Sequence, residues 1–92
     1  MRLLLALLTP AAAGLLLVAP ALADKAAADR CAAKLSPEAR AIYTASAPKL
    51  VPGADGRAIV TEETRRLVLA GQIDFNKAQD TAMAAANCLM LR

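Results

Sequence analysis

The sequence predicts an all-α fold, a small cluster of about four short helices closed by one disulfide between Cys31 and Cys88. Three observations lead to this prediction. Apolar residues after residue 23 recur at helical spacing, and no segment alternates convincingly as a strand would. Proline, glycine and capping residues divide the chain into successive helical segments. The N-terminus has the pattern of an export signal, and small exported domains commonly need a covalent crosslink.

The N-terminus has the three parts of a secretory signal peptide. A basic residue follows the initiator methionine, residues 3–18 are apolar, and Ala21 and Ala23 match the small-x-small pattern that precedes cleavage. The sequence therefore predicts a cleaved secretory signal peptide over residues 1–23 and a mature helical domain over residues 24–92. An uncleaved membrane anchor is the alternative, but a proline and a glycine interrupt the apolar run.

Export would place Cys31 and Cys88 in an oxidising compartment, where they can form only one intramolecular pair. The predicted mature domain has sixteen large apolar residues, which make a thin core for its length. The cysteines are 57 positions apart, and closing this loop removes chain entropy worth about 4 kcal/mol in the loop-entropy description. We therefore expect the disulfide to be a main source of stability.

The first two helices are predicted from their start signals. Asp24, the residue after the predicted cleavage point, is a suitable N-cap for an alanine-rich helix over residues 24–35. Ser36 and Pro37 suit the cap and the first turn of a second helix, which runs to about residue 47. The predicted buried face of the second helix comprises Ala39, Ile42, Tyr43 and Ser46.

Residues 49–60 are rich in turn-forming residues, and we predict a loop there; a short strand over residues 58–60 is the alternative. Thr61 is then expected to cap a third helix, with the next two glutamates in its first turn. The first of these, Glu62, is expected to pair with Arg66 four residues later.

Gly71 is expected to end the third helix, and Asp74 is a suitable N-cap for a last helix that runs to residue 90 or 91. At 100° per residue, one side of the last helix is expected to carry Phe75, Ala78, Ala82, Ala85, Ala86 and Leu89. Met83 and Met90 lie on a flank and are predicted to be core residues. They are not predicted to bind copper(I), because Cys88 and Met90 face nearly opposite ways.

Composition excludes several classes of function. The chain has no histidine, the commonest general base and metal ligand, so we predict no enzyme activity, no metal and no cofactor. Without Arg2, ten basic residues face eight acidic ones in the mature domain, and the basic residues are scattered. No basic stripe or stacking platform for nucleic acid is therefore predicted.

The remaining feature of interest is a set of apolar residues in and near the predicted loop. They are expected either to cap the core or to form a small exposed surface for a protein partner. This candidate partner surface comprises Tyr43, Leu50, Val51, Ile59 and Val60.

The stretch CAAKLSPEARAIY, over residues 31–43, resembles the uncharacterised short two-cysteine exported proteins of proteobacteria. This resemblance implies a compartment and a size, and no activity. The predicted architecture is also similar to that of periplasmic acid-stress chaperones, which are small, helical and held by one disulfide. That likeness is one of architecture alone.

These observations predict a small non-enzymatic protein-binding or structural module in the periplasm or outside the cell, with no membrane contact after cleavage. Its partner is expected to be a protein whose identity the sequence does not indicate. A periplasmic stress chaperone is the alternative, and a small enzyme is the least favoured. Acid could trigger such a chaperone through carboxylates that the fold stabilises as anions, for which Asp74, Glu38 and Glu62 are the candidates.

Overall fold

A computed structural model describes residues 24–92 of the chain. The predicted signal peptide, with Ala21 and Ala23, lies outside the described residues. Within residues 24–92 there are four α-helices and no strand, which confirms the all-α prediction. The helices are α1 (Lys25–Ala32), α2 (Pro37–Ser46), α3 (Gly56–Leu69) and α4 (Ala78–Leu89), with short 3-10 turns at Ala47–Lys49 and Phe75–Lys77.

The first two helices begin where the sequence places their caps. Asp24 Oδ1 accepts hydrogen bonds from the backbone N–H groups of Ala26 (2.9 Å) and Ala27 (3.2 Å), which α1 itself cannot satisfy. Ser36 Oγ accepts from the N–H of Ala39 at 3.2 Å, and Pro37 follows in the first turn of α2. Both predicted N-caps are therefore confirmed.

Helix α2 packs against both α3 and α4. Its four buried residues are Ala39, Ile42, Tyr43 and Ser46, the face that the helical spacing predicts. They pack with buried residues from the other elements, among them Ala28, Leu67, Ile73, Ala85 and Leu89. The core combines a few large side chains with many alanines, so the helices approach closely.

The disulfide between Cys31 and Cys88 is present, with the two Cα atoms 5.4 Å apart. It joins α1 to α4, which also pack against each other. Beside it, the backbone N–H of Asp24 donates to the carbonyl oxygen of Leu91 at 2.8 Å. The first and last parts of the described chain are therefore joined by a disulfide, by this hydrogen bond and by an ion pair between Arg92 and Asp29 at 3.6 Å.

The prediction for residues 49–60 is wrong in its second half, because α3 begins at Gly56. Asp55, rather than Thr61, is the N-cap, and its Oδ1 accepts from the N–H of Ala58 at 3.1 Å. The strand alternative over residues 58–60 is also wrong. Glycine near a helix start costs little, so a segment rich in turn formers still begins a helix once aspartate caps it.

The end of α3 agrees with the sequence. Gly71 has a φ of +77°, the left-handed conformation that glycine adopts without a steric penalty. Its N–H donates to the carbonyl oxygen of Val68 at 3.0 Å, and the N–H of Gln72 donates to that of Leu67 at 2.9 Å. These two bonds form a Schellman motif, which satisfies carbonyls that the helix leaves unpaired.

The last helical segment begins in two steps. Asp74 Oδ1 accepts from the N–H of Asn76 at 2.9 Å and caps the turn Phe75–Lys77, after which α4 proper begins at Ala78.

No helix within residues 24–92 combines the length and apolar character that crossing a bilayer requires.

Candidate partner-binding groove

The five residues of the candidate partner surface do not come together in one exposed patch. Tyr43 is buried in the core, and Leu50, Ile59 and Val60 are half-buried. Val51 is 59% exposed, the largest exposure in this set. Of the five, only Leu50 and Val60 lie together, in the lining of the groove described next.

The groove runs between α3 and α4 and consists of two adjoining depressions of about 700 and 420 Å³. Both depressions are lined by Thr61, Gln79 and Ala82, so they lie side by side. From the two helices the lining comprises Gly56, Arg57, Val60, Thr61, Thr64, Arg65, Val68, Leu69, Ala78, Gln79, Ala82, Met83, Ala86, Asn87 and Leu89. Leu50 and Met90 complete one end and Phe75 the other; we call this feature the α3–α4 groove.

The shape of the α3–α4 groove follows from the spacing of small residues along α4. Ala78, Ala82 and Ala86 recur every four residues, so they form one row along the helix. On α3, Val60 and Val68 lie on the facing side and are half-buried against the core. Because alanine extends only one carbon from the backbone, the two helices leave a valley above this row that bulkier residues would fill.

Several large apolar side chains border the groove and remain exposed to water. Leu69 is 80% exposed, Phe75 78%, Met83 58% and Met90 79%. The prediction that Met83 and Met90 are core residues is therefore wrong, and so is the placement of Phe75 on a buried side. The exposed apolar side chains that border the groove lie on α4, next to both of its ends and at the end of α3.

The rotation of α4 about its axis explains this difference. Cys88 is 1% exposed and bonded to α1, so the buried side of α4 is the side that carries Cys88, with Thr81, Ala85 and Leu89. The methionines then face the groove. Phe75 belongs to the 3-10 turn before α4, so the 100° spacing used to place it does not apply.

The charged residues that line the groove are both basic. Within the described part of the chain, its lining includes Arg57 and Arg65 and no aspartate or glutamate. Arg65 Nη1 pairs with Glu62 Oε1 at 2.7 Å, in a pair of which both side chains are more than half exposed. None of the ion pairs found within residues 24–92 involves Arg57. Both arginines belong to α3, so one wall of the groove is basic.

Glu63 is a buried carboxylate that the sequence did not reveal. Its side chain is 3% exposed and accepts from Lys49 Nζ and from Arg66 Nη2, the latter at 2.6 Å. These hydrogen bonds hold the pKa of Glu63 below its ordinary value, and the bond from Lys49 has the larger effect. The predicted pairing of Glu62 with Arg66 is wrong, because Arg66 pairs with the buried Glu63 instead.

A correct helix start would have placed Glu63 outside the first turn of α3. Once α3 begins at Gly56, Glu63 lies four residues before the buried Leu67, on the same side of the helix. With Thr61 taken as the cap, Glu63 instead falls in the first turn, where an exposed acidic residue needs no further explanation. The mistaken helix start therefore concealed a buried ion pair.

No protein-family model, curated protein or solved structure matches this chain. The residues that the structure describes contain no group of three or more histidine, cysteine or acidic side chains arranged to hold a metal ion. The α3–α4 groove, with its apolar border and basic lining residues, is the candidate functional site.

Proposed function

We propose that this chain is an exported, non-enzymatic protein-binding domain, and that its binding site is the α3–α4 groove. One observation carries the proposal: an apolar groove is bordered by Met83, Met90 and Phe75, each more than half exposed. Contiguous exposed apolar surface on a small domain is typical of an interaction site. Covering these side chains with a partner would remove their apolar area from water.

The open shape of the groove favours a protein segment over a small molecule. Small-molecule sites enclose most of the ligand surface, whereas the side chains that border this groove project into water. Helix α4 has 12 residues, so its groove face is about 18 Å long. That length matches about three turns of a partner helix laid along it, a common mode of peptide recognition.

Export is the second part of the proposal. It is supported by the signal pattern of residues 1–23, by the resemblance to short two-cysteine exported proteins, and by the disulfide between Cys31 and Cys88. Disulfides persist in oxidising compartments and are rare in the reducing cytosol. The proposed location is the periplasm or the extracellular space.

The absence of catalysis is proposed from the chemistry of the groove lining. The chain has no histidine, and the lining offers methionine, alanine, valine, amide and hydroxyl groups beside two arginines. Arginine stays protonated, so it does not act as a general base. This set of side chains suits recognition better than bond cleavage.

Site-specific photocrosslinking in the exporting host tests the function. A photoreactive amino acid is placed at Met83 in the groove and, as a matched control, at the exposed Thr44 on α2. We expect discrete protein adducts from a label at position 83 and from a label at position 79. In the chain labelled at position 79, Met83→Glu should abolish the adducts. Adducts from position 44 alone, or adducts unaffected by Met83→Glu, would place the binding site elsewhere.

A stress chaperone is the second candidate, because the fold stabilises two carboxylates as anions. Hydrogen bonds from Lys25 and then Tyr43 hold the pKa of Asp29 below its ordinary value, as those from Lys49 and Arg66 do for Glu63. Protonation of both would weaken the contacts of α1 with α2 and of α3 with the turn at Lys49. Acid could therefore loosen the helix cluster and expose more apolar surface.

A further inference from the structure

We propose that the segment bound in the α3–α4 groove is an acidic amphipathic helix, with its carboxylates along the α3 side opposite Arg57 and Arg65. This inference rests on the proposed function of the groove. It adds the charge of the partner, the position of that charge and the spacing of the acidic residues. The observation that carries it is the unequal charge of the two groove walls.

The α3 wall carries Arg57 and Arg65, whereas the polar side chains of the α4 wall are the neutral Gln79 and Asn87. A partner helix therefore meets positive charge on one flank and neutral amides on the other. Acidic residues on the first flank would gain charge-assisted hydrogen bonds, and basic residues there would be repelled. The charge pattern thus selects both the partner and its rotation in the groove.

The two arginines are eight residues apart on one helix, a separation of about 12 Å along the axis. A partner helix lying nearly parallel or antiparallel to α3 would place matching carboxylates about two turns apart. Neither arginine is committed to the core. Among residues 24–92, Arg65 pairs with the exposed Glu62 alone, and such exposed pairs are weak enough to exchange partners.

The apolar part of the partner is matched to the alanine row. Side chains of leucine size, repeating every three or four residues, would insert above Ala78, Ala82 and Ala86. Met83 and Met90 at the border are flexible and polarisable, so they adapt to such side chains. A helix with one apolar stripe and an acidic flank beside it satisfies both the shape and the charge of the groove.

The test uses the oxidised protein recovered from the exporting host and three synthetic helical peptides. The peptides share one leucine stripe and differ only at two flanking positions two turns apart, which carry glutamate, glutamine or lysine. We expect the glutamate peptide to bind about tenfold more tightly than the lysine peptide at low salt, and added salt should narrow the difference.

Charge reversal in the protein provides the decisive comparison. Arg57→Glu combined with Arg65→Glu should reverse the order of peptide affinities. Arg30→Glu on α1 combined with Lys34→Glu in the turn after α1 makes the same net change in charge outside the groove and should leave the order intact. Circular dichroism checks the fold of each variant. If the double glutamate variant is unfolded, Arg57→Gln with Arg65→Gln should still remove the preference.

Several outcomes would overturn this inference. Equal binding of the three peptides, abolished by Met83→Glu, would reject the acidic partner while the groove function stands. Binding of none, with groove photocrosslinks still present, would reject a helical occupant. Binding to vesicles containing phosphatidylglycerol but to no peptide would identify a lipid occupant, and a dimer disrupted by Met83→Glu would identify a second copy of this chain. Loss of the groove photocrosslinks would instead contradict the proposed function itself.

Discussion

The Tyr43 hydroxyl donates a hydrogen bond of 2.9 Å to Asp29 Oδ1, which ties α2 to α1. Arg92 Nη1 donates to the same hydroxyl oxygen at 3.1 Å, and its guanidinium lies 5.9 Å from the centre of the Tyr43 ring. Lys25 Nζ completes the cluster at 2.7 Å from Asp29 Oδ2. Tyr43 therefore stabilises the junction of α1, α2 and Arg92, which lies three residues beyond α4. Its role is structural, and it does not belong to the partner surface.

Replacing the hydroxyl tests this role. We expect Tyr43→Phe to lower the free energy of unfolding by about 1 kcal/mol, because the ring stays packed while two hydrogen bonds are lost. Urea denaturation followed by circular dichroism measures the change. Groove photocrosslinking from position 83 should be unchanged, and its loss would show that Tyr43 also contributes to partner binding.

Removal of the disulfide should have a larger effect. We expect Cys31→Ser and Cys88→Ser to lower stability by roughly 2–5 kcal/mol each, and by similar amounts, since each removes the same crosslink. Melting of the exported proteins measures this, and thiol titration of the parent provides the control. A variant as stable as its parent would remove the crosslink from our account of stability.

Stability should also fall in acid. Asp29 and Glu63 have folded pKa values below their ordinary values of 3.8 and 4.5. Above pH 4.5 both side chains therefore contribute their full share to the stability of the fold. This contribution is lost as the pH falls through the lowered folded values. Urea midpoints should change little from pH 7 to pH 5 and decline below about pH 4.5.

Glu63→Gln should destabilise the protein at pH 7, because it removes a buried anion that pairs with Lys49 and Arg66. The variant should also lose less stability than the parent as the pH falls into the acid range, since one of the two stabilised carboxylates is gone. Glu62→Gln is the matched control, since the neighbouring side chain is exposed and its effect should stay within about 0.5 kcal/mol. Equal effects of the two variants would contradict the distinction between a buried and an exposed glutamate.

Dye binding distinguishes the constitutive binding domain from an acid-triggered chaperone. Because the apolar border of the groove is exposed in the folded protein, a hydrophobic dye should already bind at pH 7, and Met83→Glu should reduce its fluorescence. We expect little further rise at pH 3, since the disulfide still closes the chain. A steep rise in acid with helicity retained, together with suppressed aggregation of a model client, would favour the chaperone.

The proposed export predicts a defined N-terminus. Intact-mass analysis of the protein from an exporting host should show a chain that begins at Asp24, because Ala21 and Ala23 suit signal peptidase. The Asp24 nitrogen would then still donate to the carbonyl oxygen of Leu91. A dominant species that retains the initiator methionine would refute both cleavage and the proposed location.

Local features were determined by the sequence itself. The caps Asp24, Ser36 and Asp74 and the helix end at Gly71 depend on backbone groups only a few residues away. A hydroxyl or carboxylate near unpaired N–H groups, or a glycine where φ must be positive, acts in much the same way in any fold. The four buried residues of α2 were likewise predictable, because its period places them on one face.

Only the tertiary structure decided which side of α4 faces inward and that Glu63 is buried. The sequence allowed either flank of α4 to be buried, and the bond between Cys88 and α1 selects the side that leaves Met83 and Met90 exposed. Glu63 is a buried carboxylate that pairs with Lys49, a residue 14 positions earlier in the chain, and no local pattern predicts that pairing. The α3–α4 groove exists for the same reason: its walls come from residues about 20 positions apart, and their separation depends on packing between helices, which no local pattern encodes.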